Sequence, residues 1–491
     1  VYNYQKFILE KMLIDVIQEK TFVKVSYVNE NGQIALENLP LPPEGYTKWV
    51  ICDEDDPDKD PVFHNYDGQP VKRVSANKFE DLNLTEFLTK RIDPEIQKKI
   101  FAFHKPNGFS VDIETRITDD AMPQAETAPN DILTISITAP NMATIILTTK
   151  EPNVDKVQEI LNETPVWEYC RERKIELPWK YIYFPNEREM LIFFCQMVRK
   201  NFHLIFGWNF TWYDWKYITN RCIKLSIPWE KLMSPEEKAD NDRIPIHRLV
   251  IDYMDAYKAG SRGNSSLLSY SLDSVAQFEL GLNKLDYPLT LKELYLQDFD
   301  RFIAYAIIDT ILVQLIHKKT NKIDVMFNMA YYTKVPFKSS DGNIAQTDAL
   351  QFVEMYAQNQ VYADVREVGT KEKYEGAFVK EPVYHECDFP AAWDAKSLYP
   401  STIRAYNISP ENYIGPCKPH EVAKLREKGF FVSEKLSVYK NSEDGSFKRL
   451  ESKLATERTI YKTAMLHIWD NFIPKVEKEL KRRGLSTTTS H

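Results

Sequence analysis

A short segment of alternating acidic and apolar residues constrains the fold of this chain more than any other feature. In residues 109–115 (Phe-Ser-Val-Asp-Ile-Glu-Thr), strand alternation puts Asp112 and Glu114 on one face and the apolar residues between them on the other. Two adjacent carboxylates repel each other, and a bound cation relieves that repulsion. The segment therefore predicts a divalent-metal site on a sheet face. Two solvent-facing acids on an edge strand are the alternative.

The following residues predict the sheet and helices around this strand. Strands are predicted over 132–138 and 143–149, which with 109–115 form an antiparallel meander, and a buried strand over 203–206. Asn186 with Glu189 predicts the N-terminal cap of a helix. A long helix is predicted to end near Lys318, with Asp298 or Asp300 as its cap.

Four more polar residues fall at informative positions of these elements. Asn209 and Asp214 follow the strand 203–206, and Asp214 lies near the start of the next helix. On its own this is ordinary turn and capping chemistry. Tyr305 and Asp309 are four residues apart on the long helix and therefore share a face. Because a lone aspartate among apolar residues is costly to bury, Asp309 is expected to be paired or metal-bound.

A further candidate metal-binding aspartate lies in the segment 389–401. An apolar run over 389–393 leads into Asp394, and Ser397, Leu398 and Tyr399 follow before a Pro-Ser turn. This pattern predicts a strand whose end presents one carboxylate, a common way to hold a divalent cation against a phosphate. A surface aspartate at the end of a buried strand is the alternative.

Arg458 and Lys462 are four residues apart on a helical stretch predicted from about Leu450 to Arg483, so they share one face. They are candidate phosphate ligands, and a solvated basic face is the alternative. Pro474 predicts a kink or break in this stretch, because its ring removes a backbone donor and crowds the preceding turn.

Bulk properties exclude several classes of protein. With 491 residues the chain is expected to form several domains. No apolar run reaches the roughly 18 residues of a membrane-spanning helix, and no signal peptide is recognised. Six scattered cysteines without a C-x-x-C pair favour neither a zinc site nor a disulfide framework. The net charge of −8 argues against a protein that only coats nucleic acid, but not against a nucleic-acid enzyme.

Three groups of residues resemble, in chain order, the three motifs of DEDDy-type 3′–5′ exonucleases, which have a ribonuclease-H-like fold. The groups are Asp112 with Glu114, Asn209 through Asp214, and Tyr305 with Asp309. The resemblance implies a site for two Mg²⁺ ions, with Mn²⁺ as an alternative, about 3.5–4 Å apart. Asp112 would bridge both ions, Glu114 and Asp309 would complete the shell of the first, and Asp214 would support the second through water. Tyr305 would orient the attacking water. Asn209 is a candidate DNA contact.

The segment 394–401 resembles the first polymerase motif of family B (alpha-like) DNA polymerases, D-x-x-S-L-Y-P-S. The sequence around it is similar to that of the replicative polymerases of tailed bacteriophages. By this resemblance Asp394 is one of two metal-binding aspartates, and Ser397 and Leu398 bind the triphosphate through their amides. The ring of Tyr399 excludes a ribose 2′-hydroxyl. Two further groups complete the resemblance: the phosphate-neutralising Arg458 and Lys462, and the strand-tracking loop Tyr374, Gly376 and Ala377.

Two motifs of that family do not occur in the 491 residues: K-x-x-x-N-S-x-Y-G, and D-T-D-S with the second metal-binding aspartate. The resemblance therefore implies a second polypeptide that carries them, with the other fingers helix and the thumb. A truncated fragment of a single-chain polymerase and a non-catalytic DNA-binding assembly subunit are the alternatives. Residues 234–250 are expected to be too short and polar for the protruding hairpin of phage relatives.

The expected architecture is α/β and multidomain. An N-terminal mixed domain spans 1–108, with 321–368 returning to it, and a ribonuclease-H-like 3′–5′ exonuclease domain spans 109–320. A partial polymerase palm (369–448) and the first half of the fingers (449–491) follow. The implied partners are primer–template and single-stranded DNA, deoxynucleoside triphosphates, the second polypeptide and a sliding clamp, with no membrane. The expected location is the cytoplasm of an infected bacterial cell.

Overall fold

The computed structural model describes residues 12–19, 22–41, 45–75, 84–101, 106–118, 122–260, 267–287, 289–339, 343–362, 380–381, 388–389, 391 and 393–483. Contacts divide the chain into two compact units. The first unit comprises residues 1–40 and 93–343, and the second comprises 41–92 and 344–491.

The strands are numbered in chain order: β1 (Met12–Gln18), β2 (Phe22–Val28), β3 (Ile34–Pro40), β4 (Thr47–Ile51), β5 (His64–Asn65), β6 (Val71–Ser75), β7 (Gly108–Thr115), β8 (Ile132–Thr138), β9 (Thr144–Thr148), β10 (Trp179–Tyr183), β11 (Leu204–Gly207), β12 (Leu249–Asp252), β13 (Gln360–Val361), β14 (Tyr413–Pro416), β15 (Phe431–Val432) and β16 (Ser437–Tyr439).

The helices are α1 (Leu84–Glu86), α2 (Pro94–Ile100), α3 (Val154–Asn162), α4 (Pro165–Glu172), α5 (Glu187–Lys200), α6 (Asp214–Lys224), α7 (Trp229–Met233), α8 (Tyr253–Gly260), α9 (Leu272–Leu280), α10 (Leu291–Gln297), α11 (Phe299–Thr320), α12 (Lys322–Thr333), α13 (Asn343–Tyr356), α14 (Leu398–Tyr406), α15 (Val422–Glu427), α16 (Ser446–His467) and α17 (Ile473–Arg482). Three 3₁₀ turns cover Phe337–Ser339, Pro410–Asn412 and Pro419–Glu421, and two π-helical turns cover Phe87–Arg91 and Ile468–Phe472. Within the described residues, no helix combines the length and apolar character that crossing a lipid bilayer requires.

A six-stranded mixed sheet in the order β10-β9-β8-β7-β11-β12 organises the first unit. Strands β7, β8 and β9 pair antiparallel, which confirms the predicted meander. Strand β11 lies parallel to both β7 and β12, and β10 lies parallel to β9. This pairing places β7, which carries Asp112 and Glu114, in the interior of the sheet rather than at an edge.

Helices cover both faces of this sheet and bury two apolar cores. Helix α11 is buried along almost its whole length and belongs to one core, while α5 and α6 contribute to the other. The predicted caps are confirmed: Asp298 caps α11 by accepting from the amide of Arg301, and Asn186 caps α5 by accepting from that of Glu189. Helix α6 begins at Asp214, as expected.

Gly207, at the end of β11, allows two backbones to approach closely. A Cβ atom at this position would lie 2.4 Å from the carbonyl oxygen of Val111 and 2.6 Å from the ring of Phe210. Since side chains cannot occupy that space, only glycine permits the turn after β11 to lie against β7. The turn leads directly into Asp214.

A smaller antiparallel sheet, β1-β2-β3, joins the first unit through both packing and polar contacts. Ile14 and Val28 belong to the same core as α11. Helix α12 and the turn Phe337–Ser339 pack on β1, where Lys338 lies 3.5 Å from both Asp15 and Asp240.

The segment 234–250 forms a compact turn. Before β12 begins at Leu249, its β-type pairing is the isolated bridge between Ala239 and Pro245, where the amide of Asp240 donates to the carbonyl of Ile244 at 2.9 Å. The expectation that no long hairpin projects from this segment is confirmed.

Among its described residues, the second unit contains three short sheets besides its helices. Strands β4 and β6 pair antiparallel, β5 pairs parallel with β13, and β14, β16 and β15 form a three-stranded sheet. Asn407, fully buried at the end of α14, donates to the carbonyl of Glu443 at 2.6 Å and accepts from the amide of Gly445 at 2.8 Å. These bonds tie the end of α14 to the start of α16.

The strand predicted before Asp394 is not formed, and this expectation was wrong. The described residues of 388–397 have no strand structure, and Phe389 and Trp393 are 96% and 95% exposed. A strand needs neighbours to satisfy its backbone groups. Among the described residues, no other segment pairs with this one.

The predicted kink or break near Pro474 takes the form of a π-helical turn, which interrupts the α-helix just before this residue. Helix α16 begins at Ser446, four residues before the expected start, and passes into the π-helical turn Ile468–Phe472 just before Pro474. The wider turn fits the loss of the proline N–H.

The hydrogen bond between His203 and β3 predicts a pH-dependent stability. His203 Nδ1 accepts from the amide of Ile34 at 2.8 Å, and burial, aided by the charge of Arg248, lowers the pKa of His203 from 6.5 to about 4. Above pH 6.5 the ring is neutral in both the folded and the unfolded protein. Between pH 6.5 and 4 the unfolded protein binds the extra proton, so stability falls as pH falls, by at most about 3 kcal/mol.

We expect H203N to flatten this pH dependence, because the amide oxygen can accept from Ile34 without titrating. The measurement is the urea unfolding midpoint at pH 7 and pH 5. H420N, at an exposed histidine, is the matched control and should keep the wild-type dependence. An equal fall for H203N and wild type would contradict the assignment.

Candidate active site

Three acidic residues converge on one face of the central sheet. One carboxylate oxygen each from Asp112, Glu114 and Asp309 lie within 4.8 Å of one another. Strand β7 supplies the first two and α11 the third. Helix α11 is fixed over this face because Ser110 Oγ donates to the carbonyl of Thr310 at 2.9 Å. The structure thus brings together three of the acidic residues singled out in the sequence.

Asp214 lies at the periphery of this cluster. Its Oδ1 accepts from the amide of Ile113 at 3.1 Å, so the first turn of α6 is bonded to the strand that carries Asp112 and Glu114. Burial and the nearby charge of Asp112 raise the pKa of Asp214 well above its usual range. Asp214 is therefore electrostatically part of the site, although it is not one of the three clustered acids.

Burial and mutual repulsion make full ionisation of the site unfavourable. Burial and the charge of Asp309 raise the pKa of Asp112 to about 7. Burial, followed by the charges of Asp112 and Asp309, raises the pKa of Glu114 well above its usual range. The pKa of Asp309 is also raised by burial, against the opposing effect of Lys284. A multivalent cation is the partner that such a cluster favours.

Lys284 is a site residue that the sequence did not reveal. Its Nζ donates to Asp309 Oδ2 at 2.5 Å and to the Tyr305 hydroxyl at 3.1 Å. The segment holding it has no regular structure, and its amide is anchored to Asp273 Oδ1 at 2.8 Å. A lysine in an irregular segment gives no periodic signal, so only the fold shows where it lies.

Tyr305 has the position expected one helical turn before Asp309. Its ring is 9% exposed and meets Tyr287 edge-on with 5.2 Å between ring centroids. Burial and the neighbouring carboxylates raise the pKa of Tyr305 far above its ordinary value. The hydroxyl therefore keeps its proton and can donate a hydrogen bond to an oxygen in the site.

The site's polar atoms fit a hard divalent cation. Asp309 Oδ1 and two hydroxyls of β8, on Thr134 and Ser136, are buried without a hydrogen-bond partner among the described residues. Those hydroxyls lie on residues directly opposite Glu114 and Asp112 in the sheet. Because all potential ligands are oxygens, Mg²⁺ and Mn²⁺ suit the site better than metals that prefer nitrogen or sulfur.

Asp252 positions the turn between β11 and α6, and it also escaped notice in the sequence. Its Oδ2 accepts from the amide and the hydroxyl of Thr211, at 3.1 and 3.2 Å. Asn209, in the same turn, is exposed and has a left-handed backbone with φ of 57°. The position of Asp252, directly after the apolar residues of β12, was the sequence signal that could have pointed to it.

The structure places the other predicted residues in the second unit. Asp394 is exposed, Ser397 has φ of 51°, and α14 begins at Leu398, with Tyr399 75% exposed. Arg458 and Lys462 are both exposed on α16. The three predicted loop residues, Tyr374, Gly376 and Ala377, lie outside the described residues.

Comparison with known proteins gives this geometry a family context. Residues 65–275 match the family described as "DNA polymerase family B, exonuclease domain". The chain is 34% identical over 295 residues to the DNA-directed DNA polymerase of Escherichia phage RB69, covering 57% of this chain and 32% of the relative. It is 34% identical over 258 residues to that of Enterobacteria phage T4, covering 49% and 28%.

A eukaryotic relative is more distant. The DNA polymerase delta catalytic subunit of Schizosaccharomyces pombe is 26% identical over 295 residues, covering 52% of this chain and 27% of that protein. The chain thus spans about a third or less of the length of these curated relatives. Residues 65–275 are therefore similar to family B exonuclease domains. The matched range contains Asp112, Glu114 and Asp214 but ends before α11.

The contacts of Lys284 predict that the stability of the folded protein depends on bound metal. We expect K284M to destabilise the metal-free protein by about 3 kcal/mol, because removing one partner leaves the buried Asp309 carboxylate uncompensated. Added Mg²⁺ should recover most of this loss, since the ion supplies the missing positive charge. Thermal unfolding in chelator and in excess Mg²⁺ measures both effects.

The matched control is K24M, which removes a lysine paired at 2.8 Å with Glu236 in the same unit. Its stability should show no added response to Mg²⁺. An equal loss for K284M with and without Mg²⁺ would contradict an electrostatic role for Lys284.

Proposed function

We propose that the first unit is a metal-dependent 3′–5′ exonuclease that degrades single-stranded DNA and so supports proofreading. The observation that carries this proposal is the convergence of Asp112, Glu114 and Asp309 within 4.8 Å, with Tyr305 beside them. Two carboxylates on one strand with a tyrosine–aspartate pair on a crossing helix suit hydrolysis of a phosphodiester. The similarity of residues 65–275 to family B exonuclease domains makes DNA the expected substrate.

The acidic residues would hold two divalent ions, with Asp112 shared between them, Glu114 and Asp309 on the first, and Asp214 supporting the second. Bound there, the ions would lower the pKa of a water molecule and stabilise the leaving 3′ oxygen. The chain's own residues hold the reactants in place. The Tyr305 hydroxyl donates to the attacking water, while Lys284 fixes that hydroxyl and the Asp309 carboxylate relative to each other.

We also propose that the second unit carries part of a nucleotidyl-transfer site. In this proposal Asp394 binds a metal ion, the amides of Ser397 and Leu398 hold the triphosphate, and Tyr399 excludes a ribose 2′-hydroxyl. The exposed cations Arg458 and Lys462 neutralise phosphates. The exposure of these side chains supports the proposal, because each is accessible to a nucleotide. Tyr374, Gly376, Ala377 and Asn209 are proposed as DNA contacts.

Residues outside these 491 are proposed to complete that site. The apolar side chains of Ile460, Leu466 and Ile468 are 59%, 44% and 45% exposed, in keeping with a helix that packs against another protein surface. We assign that surface to a second polypeptide that brings the second metal-binding aspartate, the other fingers helix and the thumb, as part of a replicative polymerase in a phage-infected cell. A continuation of the same chain is the alternative. A sliding clamp is a further proposed partner.

The proposal includes the domain division expected from the sequence: 1–108 with 321–368, then 109–320, 369–448 and 449–491. Two contacts support the return of 321–368 to the N-terminal part. Helix α12 packs on β1 in the first unit, and β13 pairs with β5 in the second.

For the exonuclease, we expect the purified chain to shorten a 5′-labelled single-stranded oligonucleotide from its 3′ end when Mg²⁺ is present. D112N and D309N should each lower the rate at least 1,000-fold, because each removes a charge that holds the metal ions. Both should fold, since each change also relieves repulsion between buried carboxylates. Gel analysis of the labelled products measures the rate, and unfolding midpoints verify folding.

D155N is the control, because Asp155 is an exposed carboxylate in the first turn of α3. It should cut at the wild-type rate. A folded wild-type chain that leaves the oligonucleotide intact in Mg²⁺ would refute the proposed exonuclease.

For polymerisation, we expect no appreciable primer extension by the pure chain with Mg²⁺ and four deoxynucleotides, because the D-T-D-S motif with the second metal-binding aspartate does not occur in the 491 residues. D394N should therefore leave the exonuclease rate unchanged while abolishing extension once the completing polypeptide is added. Robust extension by the pure chain would overturn the idea that residues outside it complete the site.

A further inference from the structure

Two buried hydroxyls of β8 lie beside the carboxylate cluster without a hydrogen-bond partner. Thr134 and Ser136 are 0% and 1% exposed, and the hydroxyl oxygen of each lacks a partner among the described residues. Burying a hydroxyl without a partner costs free energy, and folded proteins retain few such groups. Neither residue belongs to the acidic motifs recognised in the sequence, so their burial needs another explanation.

The register of the sheet places each hydroxyl opposite an acid. Thr134 is paired with Glu114 in the antiparallel ladder of β7 and β8. Two residues further along β8, Ser136 is paired with Asp112. Directly opposite residues of an antiparallel pair share a face, and their Cβ atoms are about 4.5–5.5 Å apart. Rotation about χ1 is enough to bring a hydroxyl at that distance to a carboxylate oxygen.

This face of the sheet is the one that α11 covers. Ser110, on the same face of β7 as the acids, donates to the carbonyl of Thr310 in α11 at 2.9 Å. Its partner on β8, Thr138, donates to the hydroxyl of Thr310 at 3.0 Å. The alternate residues of the two strands, such as Ile113 and Ile135, pack in the core on the other face. The two unpartnered hydroxyls therefore lie on the side of the sheet where Asp309 meets the acids of β7.

The hydroxyls around this pair are bonded. The hydroxyls of Thr138 and Thr144 are 2.9 Å apart, and Thr138 also bonds to Thr310. Thr148, the β9 partner of Thr134, donates to the carbonyl of Lys150 at 3.0 Å. Among these described hydroxyls, the unpartnered ones are thus those in the two rows of the sheet that carry an acid. Their position points to the acids as the groups they serve.

We propose that Thr134 and Ser136 are positioning residues of the metal site, whose hydroxyls donate to the carboxylates of Glu114 and Asp112 and fix the oxygens that these acids present to the ions. This inference rests on the proposed exonuclease. An ionised carboxylate accepts more hydrogen bonds than one cation occupies, and such a bond is stronger than one between neutral groups. Groups that hold a metal ligand in this way tune the affinity for the metal.

A hydroxyl suits this role because it carries no charge. Lys284, which contacts Asp309, brings a positive charge that shares its carboxylate with any bound ion. A hydroxyl donates one hydrogen bond and leaves the negative charge of the acid to the ion. The two acids on β7 can therefore be oriented by β8 without losing their attraction for a cation.

The first test measures metal binding without DNA. T134V keeps the shape of the side chain and removes its hydroxyl, and S136A removes the second hydroxyl. Binding of Mn²⁺ to the full chain is followed by the electron paramagnetic resonance signal of the free ion. We expect the Kd to rise about tenfold for T134V and up to about a hundredfold for T134V/S136A. In chelator, T134V should unfold at or above the wild-type temperature, because it removes a buried hydroxyl that has no partner.

Two controls separate the hydroxyl from packing. T134S keeps the hydroxyl, loses a methyl group and should bind Mn²⁺ like wild type. T144V removes a hydroxyl that is equally buried on this face but bonded to Thr138, and it should also keep the wild-type Kd. A wild-type Kd for T134V/S136A, or an equal loss of affinity for T134S and T134V, would overturn the proposal. Failure of wild type to degrade DNA would overturn the exonuclease instead.

A second test separates positioning from chemistry. T134V should cut a 5′-labelled oligonucleotide more slowly than wild type at limiting Mn²⁺ and approach the wild-type rate when Mn²⁺ is saturating. A rate that stays low at saturating Mn²⁺ would contradict a role in metal affinity alone. A crystal structure of the Mn²⁺-bound protein should show the Thr134 hydroxyl about 2.5–3.0 Å from a carboxylate oxygen of Glu114. A hydroxyl bound to the ion itself, or to neither, would overturn the assignment.

Discussion

Repulsion among buried carboxylates is the constraint on which the first unit depends. The side chains of Asp112 and Glu114 project from the same face of β7, and Asp309 on α11 lies close to them. Neighbouring acids in a buried setting favour protonation or a counter-charge, and the fold supplies one lysine, Lys284. The cluster is therefore held by the packing around it rather than by any attraction among its members.

That packing is unusually complete. The sheet places β7 between β8 and β11, and α11 lies across its acidic face with its side chains buried from Phe302 to His317. The approach at Gly207 and the carboxylate of Asp252 then fix the turn that delivers Asp214. Each contact removes one way for the acids to move apart.

Features encoded in local patterns could be predicted from the sequence. Alternation on β7, the caps of α5 and α11, and the four-residue spacing of Tyr305 and Asp309 all follow from the geometry of single elements. Lys284 could not be found this way, because its role comes from contacts between elements distant in the sequence. For Asp252 the sequence offers only its place after an apolar run, and its contact with Thr211 comes from the fold. The strand before Asp394 failed for the same reason. Its apolar run matches a strand, but strand formation depends on a neighbour elsewhere.

The depth of α11 within its core has a consequence for motion in the first unit. A helix without an exposed face opens only when the layers around it separate, so its amides should be among the slowest to exchange with deuterium. The segment around Lys284 lacks regular structure and has fewer backbone bonds to break. The site should thus join a slowly exchanging wall to a faster one, and local opening of the site should start on the lysine side.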